Sequence, residues 1–169
     1  MWRRILVSTL VVVGGLPGMA AAQPQPPTLL ISNVTTRFVL TRAIDGAMRR
    51  LDGPQCQRVL DEFADGSGIS LRTVLDQANV TPTQFLSRLR FADGAHSPQC
   101  QRSDDLVAFT MPGNRVIFIC SGTFDIRFRD GLRAAEMIII HEMLHAAGLG
   151  ENPPSSREIT ARVTKRCGA

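Results

Sequence analysis

Residues 132–147 leave the chain few ways to fold. They are strongly apolar, and the glycine directly after them is a typical stop signal for a helix. We therefore predict a helix from about Leu132 to Ala147 that packs inside the protein. The stretch also carries two histidines and a glutamate, which are costly to bury among isoleucines unless they bind a partner.

His141 and His145 are four residues apart, in the sequence His-Glu-Met-Leu-His. On a helix this spacing places both imidazoles on one face, where they can bind a single ion. Glu142 lies about 100° further round the helix, where a base for a metal-bound water must sit. Two imidazoles and one further carboxylate make an open zinc site, with a fourth position for water. The alternative is a buried helix with two incidental histidines.

The motif His141-Glu142-x-x-His145-x-x-Gly148-x-x-Glu151 resembles that of the zincin metallopeptidases. It matches the extended H-E-x-x-H-x-x-G-x-x-H/D pattern of the metzincin branch, with glutamate in the third-ligand position. The resemblance implies Zn²⁺ held by His141, His145 and Glu151. It also implies Glu142 as general base and a turn at Gly148 that brings Glu151 back to the metal. In that family an edge strand binds the substrate in extended form.

Two features separate the chain from typical metzincins. No methionine follows Glu151, so the Met-turn region has no counterpart. The chain contains no tyrosine, so the tyrosine with which some zincins stabilise the oxyanion is also missing. As a whole, the chain is similar to small exported bacterial proteins that end in a comparable Gly-Leu-Gly-Glu-Asn-Pro-Pro stretch and are regarded as metallopeptidases.

Two glutamates compete for the third ligand position. Glu151 has the metzincin spacing, whereas Glu158 would come from a later helix, as in zincins with a glutamate ligand. However, Ser155-Ser156-Arg157-Glu158 is itself a capping box, which explains Glu158 without a metal. His96 lies in a loop, and we interpret it as a plain surface histidine. We therefore place Glu151 first and Glu158 second.

The first 22 residues have the layout of a secretory signal peptide. Two arginines precede the apolar run Ile5–Val13, and Ala20-Ala21-Ala22 offers a cleavage site of small residues. Cleavage before Gln23 would remove those two arginines and no acid, which lowers the net charge from +4 to +2. That charge is too small to indicate a nucleic-acid partner. We expect a secreted or periplasmic protein with no membrane segment after cleavage; the alternative is an uncleaved N-terminal anchor.

All four cysteines follow the expected cleavage site, at positions Cys56, Cys100, Cys120 and Cys167. An even number of cysteines in an exported chain indicates two disulfides. Three pairings are possible and the sequence does not decide among them; we prefer Cys56 with Cys167 and Cys100 with Cys120. No C-x-x-C pair is present, so we do not expect a redox motif or a cysteine zinc site.

The pattern along the chain predicts an α+β fold with one domain, residues 35–169, after a flexible linker at 23–34. In the N-terminal half, apolar residues recur at helical spacing, and Ser70 and Thr81 are candidate helix caps. From Leu106 to Cys120 two strand-like runs flank a turn, which predicts a small antiparallel sheet. We expect this hairpin to pack on the H-E-x-x-H helix in a zincin-like arrangement. The segment 124–128 is a candidate further strand.

These expectations favour an exported, monomeric zinc metallopeptidase that hydrolyses peptide bonds of a peptide or protein substrate through a metal-activated water. Two alternatives keep the zinc. The first is an amidase that acts on cell-wall peptide, which would release peptides from peptidoglycan and leave casein intact. The second is a secreted zinc-binding module without catalysis, which would bind the metal but cleave nothing in a peptide library.

Overall fold

Helices and a small sheet make up the described part of the chain, residues 25–128 and 131–168 of a computed structural model. In chain order the elements are β1 (Thr28–Leu30), α1 (Val34–Leu51), α2 (Pro54–Gln57), a 3₁₀ helix (Arg58–Asp61), α3 (Leu71–Gln77), α4 (Pro82–Ser87), β2 (Arg90–Asp93), α5 (Pro98–Arg102), β3 (Ala108–Phe109), β4 (Val116–Ile119), α6 (Ser121–Phe128), α7 (Leu132–Ala146) and α8 (Ser156–Cys167). The fold is therefore α+β, as predicted. The expected signal peptide lies outside the described residues.

Short polar side chains fix where several helices begin. Ser70 caps α3, because its side chain accepts a hydrogen bond from the backbone N–H of the third residue after it. Thr81 with Gln84 forms a full capping box at the start of α4, and Ser155 with Glu158 forms another at the start of α8. The sequence predicts all three of these starts.

The four strands form one mixed sheet in the order β1-β2-β4-β3. The predicted hairpin is present, since β3 pairs antiparallel with β4. The prediction of an antiparallel sheet is nevertheless wrong for the sheet as a whole, because β1, β2 and β4 are parallel to one another. Parallel strands pair segments that are far apart in sequence, such as Thr28 with Arg90, and no local turn signal marks such a pair.

Two further segments differ from the sequence predictions. The stretch 124–128 belongs to helix α6 and is not a strand. Phe124 is fully buried while Ile126 is 61% exposed, although alternation would place both on the same face of a strand. The expected linker at 23–34 contains β1, whose Leu29 pairs with Phe91 of β2, and the first residue of α1. The strand that pairs with β1 lies about sixty residues later in the chain, so the proline-rich sequence around β1 does not indicate the pairing.

Helix α7 lies in the middle of the core. From Ala135 to its end almost all of its residues are buried, and it packs against α1, α6, α8 and the β3–β4 hairpin. It comes closest to α1, where a Cβ on Gly46 would overlap the side chain of Glu136. Glu136 accepts a hydrogen bond from Arg50 of α1 at 2.5 Å, so the acid is paired at this close approach. The burial predicted for the apolar helix is therefore confirmed.

The structure contains two disulfides, and both have the pairing that we preferred from the sequence. Cys56 of α2 is bonded to Cys167 in the last turn of α8, and Cys100 of α5 is bonded to Cys120 directly after β4. Disulfides of this kind are consistent with an oxidising extracellular environment. Within residues 25–128 and 131–168, no helix combines the length and the apolar character needed to cross a membrane.

Candidate metal centre

The two histidines of α7 meet at one point on its buried surface. His141 and His145 are 8% and 5% exposed, and their Nε2 atoms are 3.1 Å apart. The four-residue spacing along the helix produces this convergence, as the sequence predicts. Two nitrogen ligands at tetrahedral positions on one zinc ion would be about 3.3 Å apart, since each Zn–N bond is about 2.0–2.1 Å. The observed separation is close to that value.

The end of α7 aligns His145 through the turn at Gly148. Gly148 has φ +119°, and its N–H donates to the carbonyl of His145 while the N–H of Leu149 donates to that of Leu144. These two bonds form a Schellman motif, which reverses the chain direction at the helix end. The reversal brings the carbonyl oxygen of Leu149 to 2.8 Å from Nδ1 of His145.

The carbonyl of Leu149 fixes where the proton of the His145 ring lies. A carbonyl oxygen can only accept, so Nδ1 of His145 must carry the hydrogen. The lone pair of the neutral ring is then on Nε2, which points at His141 and lies 3.7 Å from an Oε1 oxygen of Glu151. That lone pair can accept a hydrogen bond or bind a cation.

His141 is held from a different helix. Its Nδ1 lies 3.0 Å from the hydroxyl oxygen of Thr160, which belongs to α8. Burial, together with the nearby His145, lowers the pKa of His141 from 6.5 to about 4. The ring is therefore neutral near pH 7, which is the form that binds metal ions.

Glu142 points to the other side of the site, toward the hairpin. The backbone N–H of Thr110, just after β3, donates to its carboxylate, whereas the Oε2 atom is buried without a hydrogen-bond partner. Burial is the main cause that raises the pKa of Glu142 from 4.5 to about 8, and the charge of Glu151 adds to it. A buried carboxylate oxygen without a partner is rare in proteins, and this one can accept a hydrogen bond or a proton from a molecule in the cleft.

These side chains line one open cleft of about 380 Å³. Phe109, Thr110 and Pro112 of the hairpin form one side, and the groups of α7 with Glu151 and Ser156 form the other. The hairpin is attached directly to α7, because the N–H of Gly113 in its turn donates to the carbonyl of His145 at 2.9 Å. The edge strand β3 therefore lies beside the histidines.

Of the residues proposed as ligands, the structure brings three together. One ligand atom each from His141, His145 and Glu151 lies within 4.8 Å of the others. Glu158 is exposed, and its carboxylate accepts hydrogen bonds from the backbone N–H and the hydroxyl of Ser155, each at 2.9 Å. His96 is exposed and is not in this cluster.

Three groups that contact the histidines and Glu142 could not be predicted from the sequence. They are the Leu149 carbonyl, the Thr160 hydroxyl and the Thr110 N–H. Backbone groups leave no residue-type signal. The capping box before Thr160 predicts that this residue lies on a helix. Its contact with His141, however, depends on how α7 and α8 pack, which the sequence does not show.

The donor set suits a divalent cation of borderline character. Two neutral imidazoles and one carboxylate are ligands that zinc accepts, and copper, nickel and iron bind similar sets. Comparison of the chain with protein-family models, with curated proteins and with solved structures finds no match.

Proposed function

We propose that this protein is a zinc-dependent hydrolase of peptide bonds with a zincin-like site. The observation that carries the proposal is the cluster of His141, His145 and Glu151 beside the unpartnered Oε2 oxygen of Glu142. A structural zinc site would need four protein ligands, whereas this cluster has three and opens into a cleft. Three ligands with one open position are typical of catalytic zinc.

His141, His145 and Glu151 would hold the zinc, which would supply a water with its pKa lowered to about 7 and a Lewis acid for the carbonyl oxygen. The residues of the chain supply the remaining functions. Glu142 accepts a proton from the attacking water and delivers it to the amine that leaves. The raised pKa of the Glu142 carboxyl would fall beside a divalent cation, because an opposite charge favours the ionised form.

The hairpin offers a place for an extended substrate. Strand β3 is an edge of the sheet, and β4 pairs with it on one side only. Phe109, Thr110 and Pro112 line the cleft along this edge. A peptide laid along β3 can form main-chain hydrogen bonds with it while its scissile bond lies near Glu142. The two disulfides support an exported location, secreted or periplasmic.

The variant Glu142→Gln tests the mechanism. It keeps the size of the side chain but removes the proton acceptor, so we expect zinc to stay bound at one ion per chain and hydrolysis of a peptide library to be lost. Glu158→Gln is the matched control, because Glu158 is an exposed acid outside the cluster, and it should keep full activity. Undiminished hydrolysis by Glu142→Gln would refute the mechanism.

The same assay separates the competing functions. Cleavage of library peptides and of casein supports a peptidase. Peptides released from purified peptidoglycan, with casein intact, would instead support an amidase on cell-wall peptide. A zinc-loaded protein that leaves all three substrates intact would support a binding module without catalysis.

A further inference from the structure

The two ligand histidines are oriented by different kinds of partner. His145 is fixed by a backbone carbonyl that the turn at Gly148 supplies, so the same segment of chain holds both groups. His141 depends on a side chain, the hydroxyl of Thr160, and this residue comes from another helix. A single substitution can therefore remove the partner of His141, whereas no substitution removes a carbonyl.

The placement of Thr160 is determined by both ends of α8. The capping box of Ser155 and Glu158 fixes the first turn of this helix, and the disulfide from Cys167 to Cys56 fixes its last turn. Buried Ile159 holds the helix in the core next to Thr160. With both ends held, the hydroxyl oxygen of Thr160 lies 3.0 Å from Nδ1 of His141.

A threonine hydroxyl can accept a hydrogen bond from the N–H of this ring. Thr160 is exposed, so its own hydrogen can bond to water while its oxygen lone pairs accept the incoming N–H. Acceptance of the N–H at Nδ1 leaves the lone pair of His141 on Nε2, the atom that faces His145. In metal sites such partners fix the tautomer and the angle of the ring.

We propose that Thr160 is the positioning residue of the metal centre, which holds His141 in the tautomer and orientation that bind the ion. The proposal rests on the proposed function, since it assumes that the cluster binds zinc. It assigns a role to α8 that the H-E-x-x-H motif does not contain. Thr160 does not touch the substrate; it acts through His141.

The test compares three variants of the full-length chain by competition titration with Zn²⁺ and a chelator. Thr160→Val has nearly the same shape but no hydroxyl, and we expect its zinc affinity to fall by about 10–100-fold. Thr160→Ser keeps the hydroxyl and should restore affinity close to that of the wild type. Thr164→Val, at an exposed position one turn further along α8, is the matched control and should not change affinity.

A second measurement reports the ring itself. In NMR spectra of the zinc-loaded protein, in which the ion takes the Nε2 lone pair of His141, we expect the Nδ1–H of this ring to exchange slowly with water in the wild type and faster in Thr160→Val. Equal zinc affinity of Thr160→Val and wild type would overturn the proposal, as would equally fast exchange of the His141 Nδ1–H in the two zinc-loaded proteins. Either result concerns Thr160 alone and leaves the proposed function standing. A wild type that binds no zinc would instead overturn both the role of Thr160 and the proposed function.

Discussion

Gly148 determines where α7 ends and how the chain continues to Leu149 and Glu151. Its φ of +119° lies in a region that side-chain-bearing residues rarely adopt, and a Cβ there would lie 3.1 Å from Cβ of Asp65. The turn that it permits places the Leu149 carbonyl on His145 and leads the chain back toward Glu151. The convergence of His141, His145 and Glu151 therefore depends on a residue outside that group.

We predict that Gly148→Ala destabilises the protein by about 1–3 kcal/mol, which is the cost of holding such a residue in a strained conformation. Zinc affinity should fall as well, because the Leu149 carbonyl moves. Gly150→Ala is the control, since its Cβ would meet nothing within 4 Å and its φ is ordinary. Urea denaturation of both variants checks the prediction, and equal unfolding free energies for the two would contradict it.

Single residues also show how far the sequence reveals the site. The spacing of His141, Glu142, His145 and Glu151 is a local pattern on one helix and its terminal turn, so it can be read without the fold. The partner of Glu142 is a backbone N–H in a hairpin more than thirty residues earlier, and that of His141 belongs to another helix. Tertiary packing brings these groups together, and no short-range pattern encodes it.

At the scale of elements, local signals predict helices better than strands. Three capping residues, Ser70, Thr81 and Ser155, mark helix starts that the sequence predicts. Strands β1 and β2 have only three and four residues, and their pairing is parallel and distant in sequence. Such strands lack the alternation from which a strand is predicted.

Helix α8 provides a prediction for the dependence of stability on pH. Hydrogen bonds from the backbone N–H and the hydroxyl of Ser155 lower the pKa of the Glu158 carboxyl below its ordinary value of 4.5. The unfolded chain therefore binds this proton more readily than the folded chain. The stabilisation is fully present above pH 4.5 and is lost as the pH falls through the lower pKa of the folded state.

Glu158→Gln keeps a capping box but no longer titrates. We expect the free energy of unfolding of the wild type to fall more steeply than that of the variant as the pH drops below 4.5. Urea denaturation at a series of pH values measures this difference. The other carboxylates are the same in both proteins, so their contributions to the pH dependence cancel. Parallel curves for the two proteins would show that the capping box contributes no pH dependence.

At the scale of the whole molecule, the two disulfides close loops of very different length. Cys56 and Cys167 are 111 residues apart in sequence, and Cys100 and Cys120 are 20 apart. The longer bond connects α2 to α8, the helix that carries Thr160, so it links the stability of the fold to the candidate metal centre. The sequence left three pairings open, and the structure shows the preferred one and its position relative to the candidate site.

We predict that replacing Cys56 and Cys167 by alanine costs more stability than replacing Cys100 and Cys120. Chain-entropy arguments give about 4.7 kcal/mol for a loop of about 100 residues and about 3 kcal/mol for one of about 15. Zinc affinity should fall only in the first double variant, because α8 loses its anchor. Chemical denaturation and zinc titration of the two double variants test this, and the reverse order of stability would contradict it.

The central claim is that one divalent cation binds where His141, His145 and Glu151 converge. A crystal structure of the zinc-loaded protein, with the ion located by its anomalous scattering, tests it most directly. The claim predicts one zinc ion at about 2.0–2.2 Å from Nε2 of both histidines and from a carboxylate oxygen of Glu151. An ion bound by Glu158 in place of Glu151, or no ion at the histidines under saturating zinc, would contradict it.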